Sequence, residues 1–262
     1  MKTIKTRGFV LLGAFLALGA CSQSESPGDT ADPGQAEASS PAAATPPAAA
    51  TAGLQLQALE WRNVGPFNGG RGTTVVGHPT DKRVFYFGHS SGGRWKTEAA
   101  GATWEQVGAG QFNYASVGAM AISESNPDIL YVGLGEPQLR QSVSWGDGMY
   151  KSVDGGVTWE HIGLDDALHI ARVRVHPYNP EIVYVASMGH ACGPNEEKGE
   201  FRTQDGGESW ERVLFKNEGT GAHDLIMSPD DPNLLFAALW EFERKAWGAK
   251  TGGPDSGIWR SR

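Results

Sequence analysis

Cysteine is nearly absent, with only Cys21 and Cys192 in 262 residues, so a disulfide scaffold is excluded. Cations are also scarce: 22 Lys and Arg stand against 30 Asp and Glu, a net charge of −8. That balance excludes nucleic acid and anionic membrane surfaces as natural partners. No apolar run is long enough to span a bilayer; the longest reaches from Gly8 to Ala20. No His, Cys or Asp spacing is diagnostic of a metal site, and neither metal nor cofactor is expected. Between Ser22 and Gly53 there is no aromatic residue and no Lys or Arg.

What is present at the start reads as an export signal, because Lys2, Lys5 and Arg7 precede the apolar run and Cys21 follows it. The junction Leu18-Gly19-Ala20-Cys21 resembles the bacterial lipobox. Residues 1–21 are therefore expected to be a lipoprotein signal, with Cys21 as the lipidated first residue of the mature chain. The implied location is the bacterial cell envelope, outside the cytoplasm, and Ser22 implies the outer membrane in a Gram-negative cell. Residues 22–53 are Ala, Pro, Ser, Thr and Gly with two Gln and four acidic residues, too polar to offset chain entropy by burial. They read as a disordered tether reaching on the order of 30 Å as flexible coil. With Cys21 assigned to lipid, Cys192 has no partner and no internal disulfide is expected.

The folded part, residues 54–262, is built on a repeat. The octapeptide SVDGGVTW at 152–159 returns as TQDGGESW at 203–210, and as TEAAGATW, with a decayed centre, at 97–104. Each copy closes the same sequence of parts: an apolar stretch, a Pro/Asn/Asp turn, a second β-rich stretch, a variable segment and a short third strand. The turns lie at 78–81, 125–128, 177–181 and 229–233. The second strands are VFYFG at 84–88, ILYVG at 129–133, IVYVA at 182–186 and LLFAA at 234–238. β-Branched and aromatic residues bounded by turn chemistry predict strands. Four short antiparallel strands in a unit of about fifty residues make a propeller blade, so the fold class is all-β, with about four blades.

Within the octapeptide, Asp154 and Asp205 accept turn amides, and the glycine pairs that include Gly156 and Gly207 supply positive φ. Ser152 and Thr203 tie strand to turn, and Trp159 and Trp210 pack between blades. The aspartates are thus structural. Trp61-Arg62-Asn63-Val64-Gly65 matches the Trp-led fourth strands at 104–108 and 159–163, and so reads as a fourth strand without its own first three. The fourth unit reaches GIWRSR at 257–262, one residue before its expected aspartate. Two readings follow: the strand at 61–65 closes a four-bladed ring, or the chain is the N-terminal part of a larger propeller. The interrupted motif favours the second.

The octapeptides resemble the Asp-box, or BNR, repeats of sialidases, xyloglucanases and the sortilin propeller. The stretches at 61–72, 132–136, 146–159 and 169–186 are similar to large secreted bacterial proteins described as glycosyl-hydrolase-like or sortilin-like. Members of that group are much longer. The resemblance implies the propeller fold, and it implies either binding or glycoside hydrolysis, since Asp boxes occur in enzymes and receptors alike.

Strand order sets the Pro/Asn turns and octapeptides on one face. The second-to-third loops at 133–148, 188–199 and 239–257, with the connections between blades, fall on the other, the expected binding surface. Candidate ligand-binding residues there are Arg71, Glu136, Arg140, His169, Arg172, His190, Asn195, Asp224 and Glu241. A glycosidase needs two carboxyl groups flanking the scissile bond, and Glu136, Glu196, Asp224 and Glu241 are the candidates. The resemblance speaks against that activity, because similar xyloglucanases carry an acidic residue where this chain has Ser90, and the sialidase Arg-Ile-Pro signature is missing. Trp145, Trp240 and Trp247, in or beside the long loops, suit sugar stacking or peptide contact. The expected function is therefore a lipid-anchored propeller binding a peptide, glycan or protein, with a glycoside hydrolase as the alternative.

Overall fold

A computed structural model describes residues 71–261. The signal, Cys21, the linker at 22–53 and the strand expected at 61–65 lie outside the described residues. Every regular element described is a β-strand. No helix among these residues is long and apolar enough to cross a membrane.

The strands form four antiparallel sheets in chain order. The first contains β1 (Gly72–Gly77), β2 (Phe85–His89), β3 (Arg94–Thr97) and β4 (Glu105–Gln106). The second contains β5 (Val117–Ile122), β6 (Leu130–Leu134), β7 (Met149–Ser152) and β8 (Glu160–His161). The third contains β9 (Ile170–His176), β10 (Asn179–Ser187), β11 (Gly199–Thr203) and β12 (Glu211–Leu214). The fourth contains β13 (Thr220–Met227), β14 (Leu235–Lys245), β15 (Gly248–Thr251) and β16 (Gly257–Arg260). First strands stand side by side, β1 next to β5, β5 next to β9 and β9 next to β13. This is a β-propeller arc of four blades.

Alternation along the strands sends apolar side chains to both faces of a blade, so the cores lie between blades. Tyr86, Leu130, Val132, Tyr150 and Trp159 fill the space between blades 1 and 2. Tyr131, Met149, Ile170, Val183 and Phe201 fill that between 2 and 3, with Trp210 against them. Ala186, Leu225, Leu235 and Leu239 fill that between 3 and 4, with Trp259 against them. Each fully buried Leu, Ile or Val contributes roughly 1.5–3 kcal/mol. Tyrosines on second strands also cross to the next blade: Tyr86 donates to Gly155 O at 2.9 Å and Tyr131 to Pro180 O at 2.9 Å.

The octapeptides behave as their residues predict. The Ser152 hydroxyl donates to Asp154 Oδ1 at 2.8 Å and accepts from the Gly156 amide at 2.9 Å. The Thr158 hydroxyl donates to Asp154, and with the amides of Thr158 and Val157 it holds that carboxyl down at about 2. Thr203, Asp205, Gly207 and Ser209 repeat the arrangement. In each of the first three blades the loop is fastened through one amide to the chain at or just past its own Pro/Asn turn: Ala100 to Arg83 O, Gly155 to Asp128 O and Gly206 to Glu181 O, each at 2.9 Å. Turns and octapeptides therefore share a face, as strand order requires.

Two details differ from the expected boundaries. The turn expected over 177–181 tightens to Pro177 and Tyr178, because β10 already starts at Asn179 and pairs with His176. The segment 239–257 is not a loop throughout. β14 runs on past the blade to Lys245 and folds back through β15, pairing Phe242 with Thr251 and Lys245 with Gly248. Ladder bonds in that arm satisfy backbone groups that an irregular loop would leave to water.

Candidate functional site

All four first strands carry a β-bulge at the same place, at the end away from the octapeptides. The extra residues are Thr73, Gly118, Ala171 and His223, as the register shifts show. At Gly118 an added Cβ would lie 2.0 Å from Ile170 O, so the neighbouring blade approaches too closely for any side chain. Bulges re-aim the residues beside them, and they make the positions around them equivalent from blade to blade.

Immediately after the bulge stand Thr74, Ala119, Arg172 and Asp224. Because blades 3 and 4 are neighbours, Arg172 and Asp224 meet: Nε donates to Oδ1 at 2.7 Å. Partial burial works against the charged form of Asp224, yet Arg172 and the Leu225 amide hold its carboxyl below the usual range. Two residues before the bulge stand Arg71, Ser116, His169 and Gly221. The first three each give their carbonyl to the segment leaving the second strand of the same blade, namely Ser90, Gly135 and Met188.

Glu136 follows that segment in blade 2, and its side chain is fully buried. Arg71 reaches it from blade 1 with both guanidinium arms, Nε donating to Oε1 at 2.5 Å and Nη2 to Oε2. The pairing raises the Arg71 pKa. Arg71 Nη2 also donates to Ser142 O at 3.2 Å, and Arg140 Nε stands 4.0 Å from Glu136 Oε1. One buried carboxylate thus faces two guanidinium groups, and the cluster retains a positive charge.

His169 is fully buried, and neither ring nitrogen makes a hydrogen bond. Burial pushes its pKa down to about 4, so it is neutral at pH 7. Beside it the loop at 188–198 is stapled to the connection from blade 2. Asp166 accepts from His190 Nε2 at 2.8 Å through one oxygen, and from Asn195 Nδ2 at 2.7 Å through the other. Lys198, buried and donating to Gly193 O at 3.1 Å, has its pKa lowered to about 8 by desolvation.

The candidates thus fall into three groups: Arg71, Glu136 and Arg140; His169, His190 and Asn195; and Arg172 with Asp224. Two stand apart. Glu196 is exposed and its carbonyl accepts from Arg212. Glu241 occupies in blade 4 the register of Glu136 in blade 2, but it is turned to Lys250 of the arm. Asp166 and Lys198 were not expected from sequence. Asp166 belongs to an unremarkable Asp-Asp pair, and only the position of its connection beside the next blade's loop reveals its use. Among the described residues no group of His, Cys, Asp or Glu is placed to hold a metal ion.

Two cavities lie elsewhere. One, of about 550 Å³, is lined by Lys96, Glu98, Glu105 and the octapeptide glycines Gly155 and Gly156. The other, of about 350 Å³, separates blades 3 and 4 and is lined by Tyr184, Leu214, Leu225, Leu235, Trp259 and Glu200. Glu200 is buried with both oxygens unpartnered, and desolvation raises its pKa well above the usual glutamate value. None of the candidate binding residues lines either cavity.

No protein-family model matches the chain, and no curated protein matches it by sequence. Among solved structures it is similar to an ancestral GH74 enzyme, with a TM-score of 0.53 and 16% identity over 72% of this chain and 25% of that one. It is also similar to the GH74 xyloglucanase from Xanthomonas campestris, with a TM-score of 0.42 and 16% identity over 77% and 37% of the two chains. An auxiliary nutrient binding protein from Bacteroides thetaiotaomicron matches with a TM-score of 0.47 and 11% identity over 72% and 42%. The chain spans less than half the length of each of these proteins. At such identity the first likeness speaks for architecture alone, and it agrees with the four stacked sheets: the chain has the β-propeller fold.

Proposed function

We propose that this chain is an Asp-box propeller that binds a peptide, glycan or protein partner on its loop-rich face, tethered to the bacterial envelope through lipid on Cys21. The observation that carries the reading is the state of the carboxylates. Glu136 is held by Arg71, Asp224 by Arg172 and Glu241 by Lys250. A glycosidase needs one carboxyl group to give a proton and a second to act as base or nucleophile across the bond. Three of the four candidates are instead neutralised by cations, an arrangement that supports recognition over turnover. The octapeptide carboxylates lie on the opposite face, engaged by their own turns.

A panel of oligosaccharides and peptides, titrated against the full chain and assayed for hydrolysis, tests the reading. Binding without turnover, weakened by Arg140→Gln, is expected. Hydrolysis abolished by Glu136→Gln or Glu241→Gln with folding intact would establish the glycoside hydrolase alternative. Labelling with an alkyne fatty acid in an expressing bacterium tests the anchor, which requires label on the unaltered chain and none on Cys21→Ser.

A further inference from the structure

Next to the Arg71–Glu136 pair the loop face carries two exposed aromatic side chains. Tyr114 belongs to the connection between β4 and β5 and is 43% exposed; Trp145 belongs to the loop between β6 and β7 and is 55% exposed. Several bonds hold the two segments alongside each other. Asn113 Nδ2 donates to Asp147 Oδ2 at 2.7 Å. Ser116 O and Ser144 O accept from the adjacent amides of Gly135 and Glu136, at 3.1 and 2.9 Å. Trp145 therefore directly follows the residue bonded to the Glu136 backbone, and Arg140 leans on the Glu136 side chain from the same loop. Tyr114 is fixed from behind, its carbonyl accepting from Arg94 at 3.2 Å.

We propose that Tyr114, Trp145 and Arg140 form a binding site for an acidic saccharide, a chain containing uronate units. The inference rests on the loop-face binding reading and deepens it. Aromatic faces left in water offer an apolar, polarisable plane to the C–H face of a pyranose ring. The cluster's charge selects among sugars: Glu136 is already forked by Arg71, so Arg140, 54% exposed, is left to take a carboxylate. That positive charge is local in a chain whose net charge is −8. A peptide adding by backbone pairing is disfavoured, because the backbone groups here are already used. The carbonyls of Tyr114, Ser116, Ser142 and Ser144 and the amides of Gly135, Glu136 and Gly146 all have partners within the protein.

Calorimetric titration of the full chain with a tetramer of galacturonic acid and with a neutral glucose tetramer tests the site. The uronate is expected to bind at least tenfold more tightly than the neutral sugar, and less tightly as salt is raised. Trp145→Ala should weaken it at least tenfold, and Arg140→Gln should bring acid and neutral sugar level. Tyr178→Ala, exposed on the opposite face, should change neither. Equal affinity for the two sugars, uronate binding that survives Trp145→Ala, or no uronate binding at millimolar concentration overturns the proposal. If the uronate fails while peptides bind and are lost with Arg140→Gln, the saccharide is wrong and the loop-face reading stands. If nothing binds, both fall.

Discussion

Ala100 holds, at φ 51°, the left-handed backbone conformation that Gly155 holds at φ 70° in the intact octapeptide of the next blade. A side chain there costs about 1–2 kcal/mol, while glycine loses roughly 0.5–1 kcal/mol of extra chain entropy on folding. Ala100→Gly is therefore expected to stabilise the fold by up to about 1 kcal/mol, measured by urea denaturation. A loss of stability would show that the first octapeptide no longer depends on this conformation.

Gly108 is the seat of Trp159. A Cβ on Gly108, at φ +64°, would stand 2.6 Å from Cε2 of Phe112 and 2.7 Å from Cδ1 of that indole, on which the Phe112 ring packs. Gly110, at φ +77°, has nothing within 4 Å of the same hypothetical atom. Both substitutions to alanine carry the backbone cost, and only one displaces a buried tryptophan. Gly108→Ala should destabilise by about 2–4 kcal/mol and shift tryptophan emission to the red, whereas Gly110→Ala should cost about 1–2 kcal/mol with no shift. Equal costs would remove the indole from the explanation.

Glu200 faces blade 4 at the position where blade 2 has the fully buried Met149. Its folded pKa is raised, so below the ordinary glutamate pKa it costs nothing in proton uptake. As pH rises from there the unfolded chain ionises first, and stability falls until the folded carboxyl ionises too. Glu200→Met should stabilise the protein by about 1–3 kcal/mol at pH 8 and flatten its pH profile. Glu200→Gln should flatten the profile with a smaller gain. An unchanged profile would mean that the carboxyl meets water.

His169 acts in the opposite direction. Its folded pKa of about 4 lies below the ordinary value, so stability is full above pH 6.5. It declines toward pH 4 as the unfolded chain takes up a proton that the folded imidazole refuses. The decline reaches about 3 kcal/mol, at 1.36 kcal/mol per pKa unit. His169→Gln should remove most of this acid sensitivity in denaturation curves taken between pH 4 and 7.

Blade number and strand order were legible because the signals are local: aromatic and β-branched runs such as 129–133, Pro/Asn turns, and an octapeptide whose Ser/Thr and Asp side chains bond within four residues. The two faces followed from strand order alone. The bulges at Thr73, Gly118, Ala171 and His223 were not legible, because each is a property of a strand pair and the four residues share no side-chain type. The arm of β14 and β15 was hidden for a related reason, since its turn at Ala246 and Trp247 resembles none of the other second-to-third loops. The site was half legible. Arg71, Glu136, Arg172 and Asp224 were expected on one face, but their pairing depends on which blades are neighbours, and Asp166 gave no signal before its connection was placed.

The tryptophans that end the second and third octapeptides pack backwards, against the glycine that ends the preceding blade: Trp159 on Gly108 and Trp210 on Gly163. Each repeat thus carries a key for its predecessor and a lock for its successor. A gene segment duplicated in whole units brings both halves of every new junction with it, so the array can lengthen without inventing an interface. The third blade breaks the pattern, ending in Leu214 where blades 1 and 2 end in Gly108 and Gly163, and that leucine lines the cavity next to blade 4. At that one junction the lock has been recut, and a unit copied from elsewhere in the array would not fit it unchanged.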